Sequence, residues 1–313
     1  MQEITYWVNG EFVPASKAMM PLNQRGYRLG DAVFDTERTF GGRVFRLTQH
    51  LERLARSLAY TRIAPGLSMQ ELGRITEETV ARNQPLVEEY GDFWVTQTIS
   101  RGGGPPTAPG PGFASVIMEP LLFERVAEHY TQGVPLVIPS VRASASGGLD
   151  PKVKCVSRMH LVLADIEAKT INSKALGLLL DEHGDLAEVL YGNIFVVKGG
   201  RIATPEARAI LEGVTRNTTL ELIRETGLPL SERRLQPYDL HTADEAFVTT
   251  TSYCLMPVGS LNGQPIGAER PGPVTRELMQ GWNRLAGFDI AEQARTYAAR
   301  RKAAPLAIAG MTR

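Results

Sequence analysis

Residues 176–203 read Leu-Gly-Leu-Leu-Leu180, Asp-Glu-His-Gly-Asp185, Leu-Ala-Glu188-Val-Leu-Tyr-Gly-Asn193-Ile-Phe-Val-Val197, Lys-Gly-Gly200, Arg-Ile-Ala203. Three apolar runs are broken by two polar, glycine-bearing turns. The runs are too short for helices and rich in branched side chains, so they predict strands at Leu176–Leu180, Glu188–Val197 and Arg201–Ala203. Gly213 then precedes a helix over about 215–225, closed by Gly227. Ala246–Thr251 predicts a further strand and Thr275–Leu285 a further helix.

Towards the N-terminus the pattern changes. Trp7-Val8, Asn9-Gly10 and Phe12-Val13 form an apolar–turn–apolar signature, and Val33–Phe40, Gly41-Gly42 and Val44-Phe45 repeat it. Leu47, Leu51, Leu54 and Leu58 fall at helical spacing, and a second helix is expected over Met69–Arg82. Phe93–Ser100 and Phe113–Glu119 read as strands around a Gly/Pro loop at Arg101–Gly112. A helical piece is expected near Glu124–Tyr130, then a strand at Val134–Pro139. Met159, Val162, Leu163 and Ile166 mark the apolar stripe of an amphipathic helix. The expected division is a small α+β domain over 1–122, a larger domain over 123–290, and a weakly patterned tail over 291–313, either a frayed helix or partly disordered.

Composition narrows the function. The chain has 313 residues, long enough for two domains and a core that needs no disulfide or metal staple. Its 34 basic and 34 acidic residues cancel, which argues against bulk attraction to nucleic acid or anionic lipid. Cys155 and Cys254 are isolated, so neither a disulfide framework nor a cysteine zinc site is supported. The five histidines form no His-x₃-His pair, and no metal site is expected. No apolar run could span a bilayer, and the N-terminus lacks a signal-peptide pattern, so a cytoplasmic protein is expected. Glycine-rich dinucleotide and Walker loops and the Gly-x-Ser-x-Gly elbow are missing.

The residues left for chemistry are few. Only seven of the 34 basic residues are lysines, and two of them, Lys152 and Lys154, fall in one small, apolar segment. Desolvation there would make Lys154 a better amine nucleophile; a surface lysine with a snorkelling stem is the plainer alternative. Glu188 lies in an apolar strand, where a buried carboxylate needs a cationic or donor partner; a strand-edge glutamate facing water is the alternative. Gly213-Val214-Thr215 opens a helix, and Thr249-Thr250-Thr251-Ser252 ends a strand. Together they could cradle a phosphate, with Arg53 as the cation. A nucleophilic lysine, a buried acid and a phosphate cradle match the needs of pyridoxal 5'-phosphate.

These motifs, in this order, resemble the class IV aminotransferases, the fold-type IV pyridoxal phosphate enzymes. Arg25-Gly-Tyr-x-x-Gly-Asp-x-Val-Phe34 is similar to their N-terminal motif, and His50-Leu-Glu-Arg53-Leu to their phosphate-arginine segment. Asp150-Pro-Lys-Val-Lys154 resembles the Schiff-base lysine segment, with Lys152 the less favoured lysine. Glu188-x-x-x-x-Asn193-Ile-Phe resembles the segment that meets the pyridine nitrogen. Ile210-Leu211-Glu-Gly-Val214-Thr215-Arg216 resembles the phosphate-cup turn, with Leu211 against the ring. Asp244–Thr251 with Pro257-Val258, and Gly272-Pro-Val-Thr275, complete the set.

The resemblance implies an α+β, two-domain enzyme with a small N-terminal domain and a larger, β-barrel-like domain. It implies a homodimer whose site lies at the domain junction. It also implies Lys154 as the catalytic lysine, with Arg53, Glu188, Asn193, Leu211, Val214, Thr215, Thr250 and Thr251 around the cofactor. The implied reaction is ping-pong transamination between an amino acid or primary amine and a keto acid or ketone. The Arg-x-His carboxylate trap of the D-amino acid enzymes is replaced by Pro106 and Ala108. The Tyr-x-Arg of the branched-chain enzymes is replaced by Thr96 and Thr98. Phe34, Trp94 and Thr96 are therefore expected at the substrate, with Arg38 or Arg142 as another carboxylate grip. Trp94 and the lysine segment lean towards the (R)-amine branch. Phe34-Asp-Thr36 also resembles aminodeoxychorismate-type lyases, which release pyruvate without a keto acceptor.

Overall fold

The computed structural model describes residues 3–144 and 148–303. Contacts divide the chain into two compact units. The first comprises the described parts of Met1–Leu121, Val153–Ser157 and the chain from Arg300; the second comprises Leu122–Lys152 and Arg158–Ala299.

In the first unit, Asn9 and Gly10 take positive φ and turn β1 (Thr5–Val8) into β2 (Glu11–Pro14). The short helix α1 (Arg25–Leu29) leads into β3 (Ala32–Phe40) and β4 (Arg43–Val44). Helices α2 (Leu47–Thr61), α3 (Met69–Arg82) and α4 (Val87–Tyr90) precede β5 (Phe93–Ser100) and β6 (Phe113–Pro120). The six strands form one sheet in the order β2-β1-β6-β5-β3-β4. Leu54 and Leu58 of α2 and Leu72 and Val80 of α3 are buried in one core with Val33, Val95, Ile99 and Val116 of the sheet. Alternation along β3 therefore turns Val33, Asp35, Glu37 and Thr39 to the helices, and Phe34, Thr36 and Arg38 to the other face.

In the second unit, α5 (His129–Gln132) precedes β7 (Val134–Val137), and α6 (Met159–Ile171) precedes β8 (Leu176–Leu180), β9 (Leu186–Val189), β10 (Gly192–Lys198) and β11 (Arg201–Thr204). Helix α7 (Val214–Thr226), β12 (Leu230–Glu232), α8 (Pro237–His241), β13 (Glu245–Thr250), β14 (Cys254–Leu261) and β15 (Gln264–Pro265) follow. Last come α9 (Pro273–Ala286) and α10 (Ile290–Ala303). The path β10-β13-β14-β7-β8-β9 returns to β10, so these strands close a barrel, while β11, β12 and β15 extend beyond it. Closure leaves those six strands without an open edge. The Glu245 carboxylate accepts N–H bonds from Val274 and Thr275 at the start of α9, at 3.0 and 2.8 Å, which gives the Gly272–Thr275 motif a structural role.

Several elements differ from the sequence expectation. The helix expected at Glu124–Tyr130 is a 3₁₀ turn over Phe123–Arg125 followed by α5. Of the two forms expected for the tail beyond residue 290, the described part is a helix, to Ala303, and within the first unit Arg301 donates to the carbonyls of Tyr90 and Leu121. Residues 304–313 lie outside the described chain. Val153–Ser157 also joins the first unit: Cys155 bridges to Val33, and the Val156 N–H donates to the Ala32 carbonyl at 2.9 Å. On α6 the apolar stripe faces out. Met159, Leu163 and Ile166 are more than half exposed, at 70, 51 and 58%, while the buried side is Leu161, Ala164 and Ala168. Small residues on that buried side let the helix lie close to its own core.

Candidate active site

Helix α2 and strand β3 build the first group of site residues. His50, Arg53 and Ser57 follow one another at helical spacing on the buried side of α2. They face Asp35, which has no solvent exposure. Arg53 Nε and Nη2 reach the two Asp35 oxygens at 2.8 and 2.6 Å, and His50 Nδ1 lies 2.8 Å from Oδ1. Burial pushes the Asp35 carboxyl up, but the Arg53 charge and its hydrogen bonds, with His50, outweigh this and hold Asp35 ionised. Burial also lowers the His50 pKa, so that ring stays neutral near pH 7, and the carboxylate only partly opposes this. A two-point grip fixes the plane of the Arg53 guanidinium.

Further along the same helix face, Ser57 Oγ accepts the Lys154 backbone N–H at 3.2 Å, and the Lys154 carbonyl accepts the Phe34 N–H at 3.0 Å. The lysine backbone is thus held on both sides, and its Nζ sits 4.7 Å from the centroid of the Phe34 ring. Lys152 belongs to the other unit and points to solvent, with Nζ 3.1 Å from Asp150. Thr36 and Thr96 share a cross-strand hydrogen bond at 3.0 Å on the Phe34 face, and Trp94 is the register partner of Arg38.

Arg38 itself departs from the expectation. It is 2% exposed, lies 3.3 Å from Asp92 and stacks on the Phe40 ring at 4.3 Å. Asp92, buried just ahead of β5, fixes this arginine structurally, which sequence spacing does not reveal. Arg142, in the second unit, donates to the carbonyls of Pro139 and Ser140.

The second unit gathers the remaining residues at one end of β10. Glu188 is not on an edge: β9 lies between β8 and β10, and Glu188 pairs in register with Asn193, which pairs with Thr249 across β13. Opposed residues share a face, so Glu188, Asn193 and Thr249 form one row. Glu188 Oε2 accepts the Leu211 N–H at 3.1 Å, and Asn193 Nδ2 donates to the Leu211 carbonyl at 3.0 Å. Leu211 is clamped between the two side chains. Two residues on, Gly213 lies so close to Asn193 that an added Cβ would stand 2.4 Å from its Oδ1. Helix α7 then starts at Val214 and Thr215 with no side-chain cap on its first N–H groups. Thr249 Oγ is buried without a hydrogen-bond partner, and Thr250 Oγ accepts only the Tyr253 N–H among the bonds described, at 3.1 Å.

An uncapped helix start and a buried hydroxyl without a partner suit a phosphate group. By that test the residues present fit pyridoxal phosphate. Sequence reasoning missed Asp35, Glu37 and Ser57, and left His50 without a role. The signal was present in strand parity: Asp35 and Glu37 share the phase of Val33, and so must be buried.

A family model described as amino-transferase class IV matches residues 32–261. The chain belongs to the class IV aminotransferases. It is an enzyme of that class, with transaminase activity, and the class depends on pyridoxal phosphate. It is 32% identical to a putative branched-chain-amino-acid aminotransferase of Methanocaldococcus jannaschii, over 88% of this chain and 93% of the relative. It is 28% identical to a D-alanine aminotransferase of Staphylococcus haemolyticus, over 89 and 96%. The solved branched-chain amino acid aminotransferase of Escherichia coli superposes with a TM-score of 0.84 at 26% identity, over 91% of this chain and 95% of that one. A second solved branched-chain enzyme, that of T.th., complexed with N-(5'-phosphopyridoxyl)-L-glutamate, gives 0.80 at 25% identity, over 96 and 98%. Among the described residues, no helix is long and apolar enough to cross a membrane.

Proposed function

We propose that this aminotransferase uses Lys154 to hold pyridoxal 5'-phosphate and moves an amino group between an amino acid or primary amine and a keto acid or ketone, in two half-reactions. The observation that carries this reading is the fixed placement of Lys154, its backbone bonded to Ser57 and Phe34 and its amine over the Phe34 ring. The bound cofactor would supply an electron sink for the substrate carbon. Lys154 Nζ would carry the proton between carbon positions as general acid and base. Glu188, oriented by the Leu211 N–H, would hold a proton on the ring nitrogen. Arg53, the N–H groups of Val214 and Thr215, and the hydroxyls of Thr250 and Thr251 would take the phosphate. Asn193 would hold Leu211 against the ring.

Phe34, Trp94 and Thr96 would line the substrate side. With Arg38 held by Asp92, Arg142 is left as the arginine proposed to grip a carboxylate. Named relatives act on branched-chain amino acids or D-alanine, which favours amino acid substrates; the missing family carboxylate traps favour simple amines. The apolar side chains that α6 leaves exposed, Met159, Val162, Leu163 and Ile166, support a homodimer through this helix.

Amine-dependent conversion of a keto acceptor tests the reaction. Pyruvate release from an amino donor without an acceptor would favour the lyase reading instead. Glu188→Gln removes the negative charge but keeps an acceptor for Leu211. We expect the cofactor to remain bound and turnover to fall by about 10²-fold or more, the scale of a lost acid–base partner. Unchanged turnover would remove Glu188 from the ring nitrogen.

A further inference from the structure

Glu37 is the one acid on the helix side of β3 that the proposed chemistry does not use. It has no solvent exposure, and neither carboxyl oxygen has a hydrogen-bond partner. Beside it lies the Gln97 amide, whose Oε1 is also buried and unpartnered. The orientation of that amide is fixed from α3. Thr76 Oγ spends its own proton on the Leu72 carbonyl at 2.7 Å, so it needs a donor, and Gln97 Nε2 supplies one at 3.1 Å. The amide oxygen is therefore turned away from α3.

Ionised, Glu37 would leave both of its buried oxygens without a hydrogen bond, beside a third buried acceptor in the same condition. A single proton resolves the arrangement, because a neutral carboxylic acid can donate to Oε1. We propose that Glu37 is a neutral acid in the folded protein, hydrogen-bonded through its hydroxyl to Gln97 Oε1. We further propose that it is a positioning residue for the Asp35–Arg53 pair, so that loss of its proton weakens the hold of Arg53 on an anion.

The charged surroundings agree. From β3, Asp35 already supplies one negative charge; from α2, Arg53 supplies one positive charge and His50 is neutral; β5 offers Gln97. Helix α3 offers only Thr76, with Arg74, Glu77 and Glu78 turned to solvent. One cation thus faces two carboxyls. Burial first, and the Asp35 charge second, raise the Glu37 pKa well above the ordinary carboxylate range. With Glu37 neutral, Arg53 keeps its remaining field for a phosphate. With Glu37 ionised, the site would carry an extra negative charge close to an incoming dianion. The second half of the proposal rests on the reading that Arg53 receives the cofactor phosphate.

Two readouts separate the halves. Infrared difference spectra of the full-length protein against Glu37→Gln, at pH 7, should show the carbonyl stretch of a protonated carboxylic acid, sensitive to deuterium. The wild-type band alone, followed as pH rises, reports the same proton without any variant. Its absence from the wild type at pH 7 would overturn the neutral acid. Glu37→Gln keeps the volume and a donor for Oε1. Its affinity for pyridoxal phosphate should equal wild type at pH 6. The ratio of variant to wild-type affinity, in which shared titrations cancel, should rise about tenfold as the band disappears. A flat ratio would overturn the positioning role. If neither protein binds pyridoxal phosphate at any pH, the cofactor reading and the positioning role fail together, and the band still reports the acid.

Discussion

Lys154→Ala should yield a folded protein that has lost the near-visible absorbance of lysine-bound pyridoxal phosphate and turns over at least about 10⁴-fold more slowly. The fold should survive because the Lys154 backbone, not its side chain, makes the bonds to Ser57 and Phe34. The chemistry should not survive, because Lys152, the other lysine of the segment, is exposed and paired with Asp150. An absorbance and rate measurement on both single variants decides the matter. If Lys152→Ala bleaches the protein and Lys154→Ala does not, the assignment of the lysine is wrong by two residues.

The second large effect concerns stability. Asp35→Asn should destabilise the protein by about 3–5 kcal/mol in denaturant unfolding at pH 7, because it leaves the buried Arg53 charge without its counter-ion. The pH dependence has a definite sign. Asp35 is held far below its ordinary pKa, so its contribution is complete above about pH 4 and is lost as the pH falls below that. His50 acts in the same direction. Its folded value lies below the unfolded value of about 6.5, so stability declines as pH falls through the window beneath it. The gap between wild type and Asp35→Asn should therefore narrow by about 1.4 kcal/mol per pH unit below pH 4. A gap that stays constant from pH 7 to pH 3 would show that Asp35 is not the counter-ion. The same variant should also bind pyridoxal phosphate more weakly, since Asp35 orients the guanidinium.

Much of this was legible in the chain. The runs from Leu176 to Ala203 specified neighbouring strands because their turns are short, but the reading of Glu188–Val197 as one strand missed the turn at Leu190 and Tyr191 that parts β9 from β10 and sets Glu188 opposite Asn193. The leucines of α2 marked its buried face, and His50 and Arg53 lie on that same face. Other features were hidden for identifiable reasons. Arg38 looked available because its counter-ion, Asp92, is 54 residues away. The α6 stripe looked like a core face because periodicity reports an apolar side, not what covers it. Val153–Ser157 fell within the expected larger domain because its pairing with β3 spans more than a hundred residues, which no local pattern records. Asp35 and Glu37 were readable only through the parity of β3, and the different states of the two acids depend on which one meets Arg53.

Whether Lys154 carries pyridoxal phosphate for transamination is read most directly from the near-visible spectrum of the purified protein before and after L-leucine, L-glutamate, D-alanine and an (R)-arylalkylamine are added separately. The protein should be yellow, and its absorbance should bleach with at least one of these donors and return when a keto acid is supplied. A protein that stays colourless after pyridoxal phosphate is added, or a yellow one that ignores all four donors, would contradict that role.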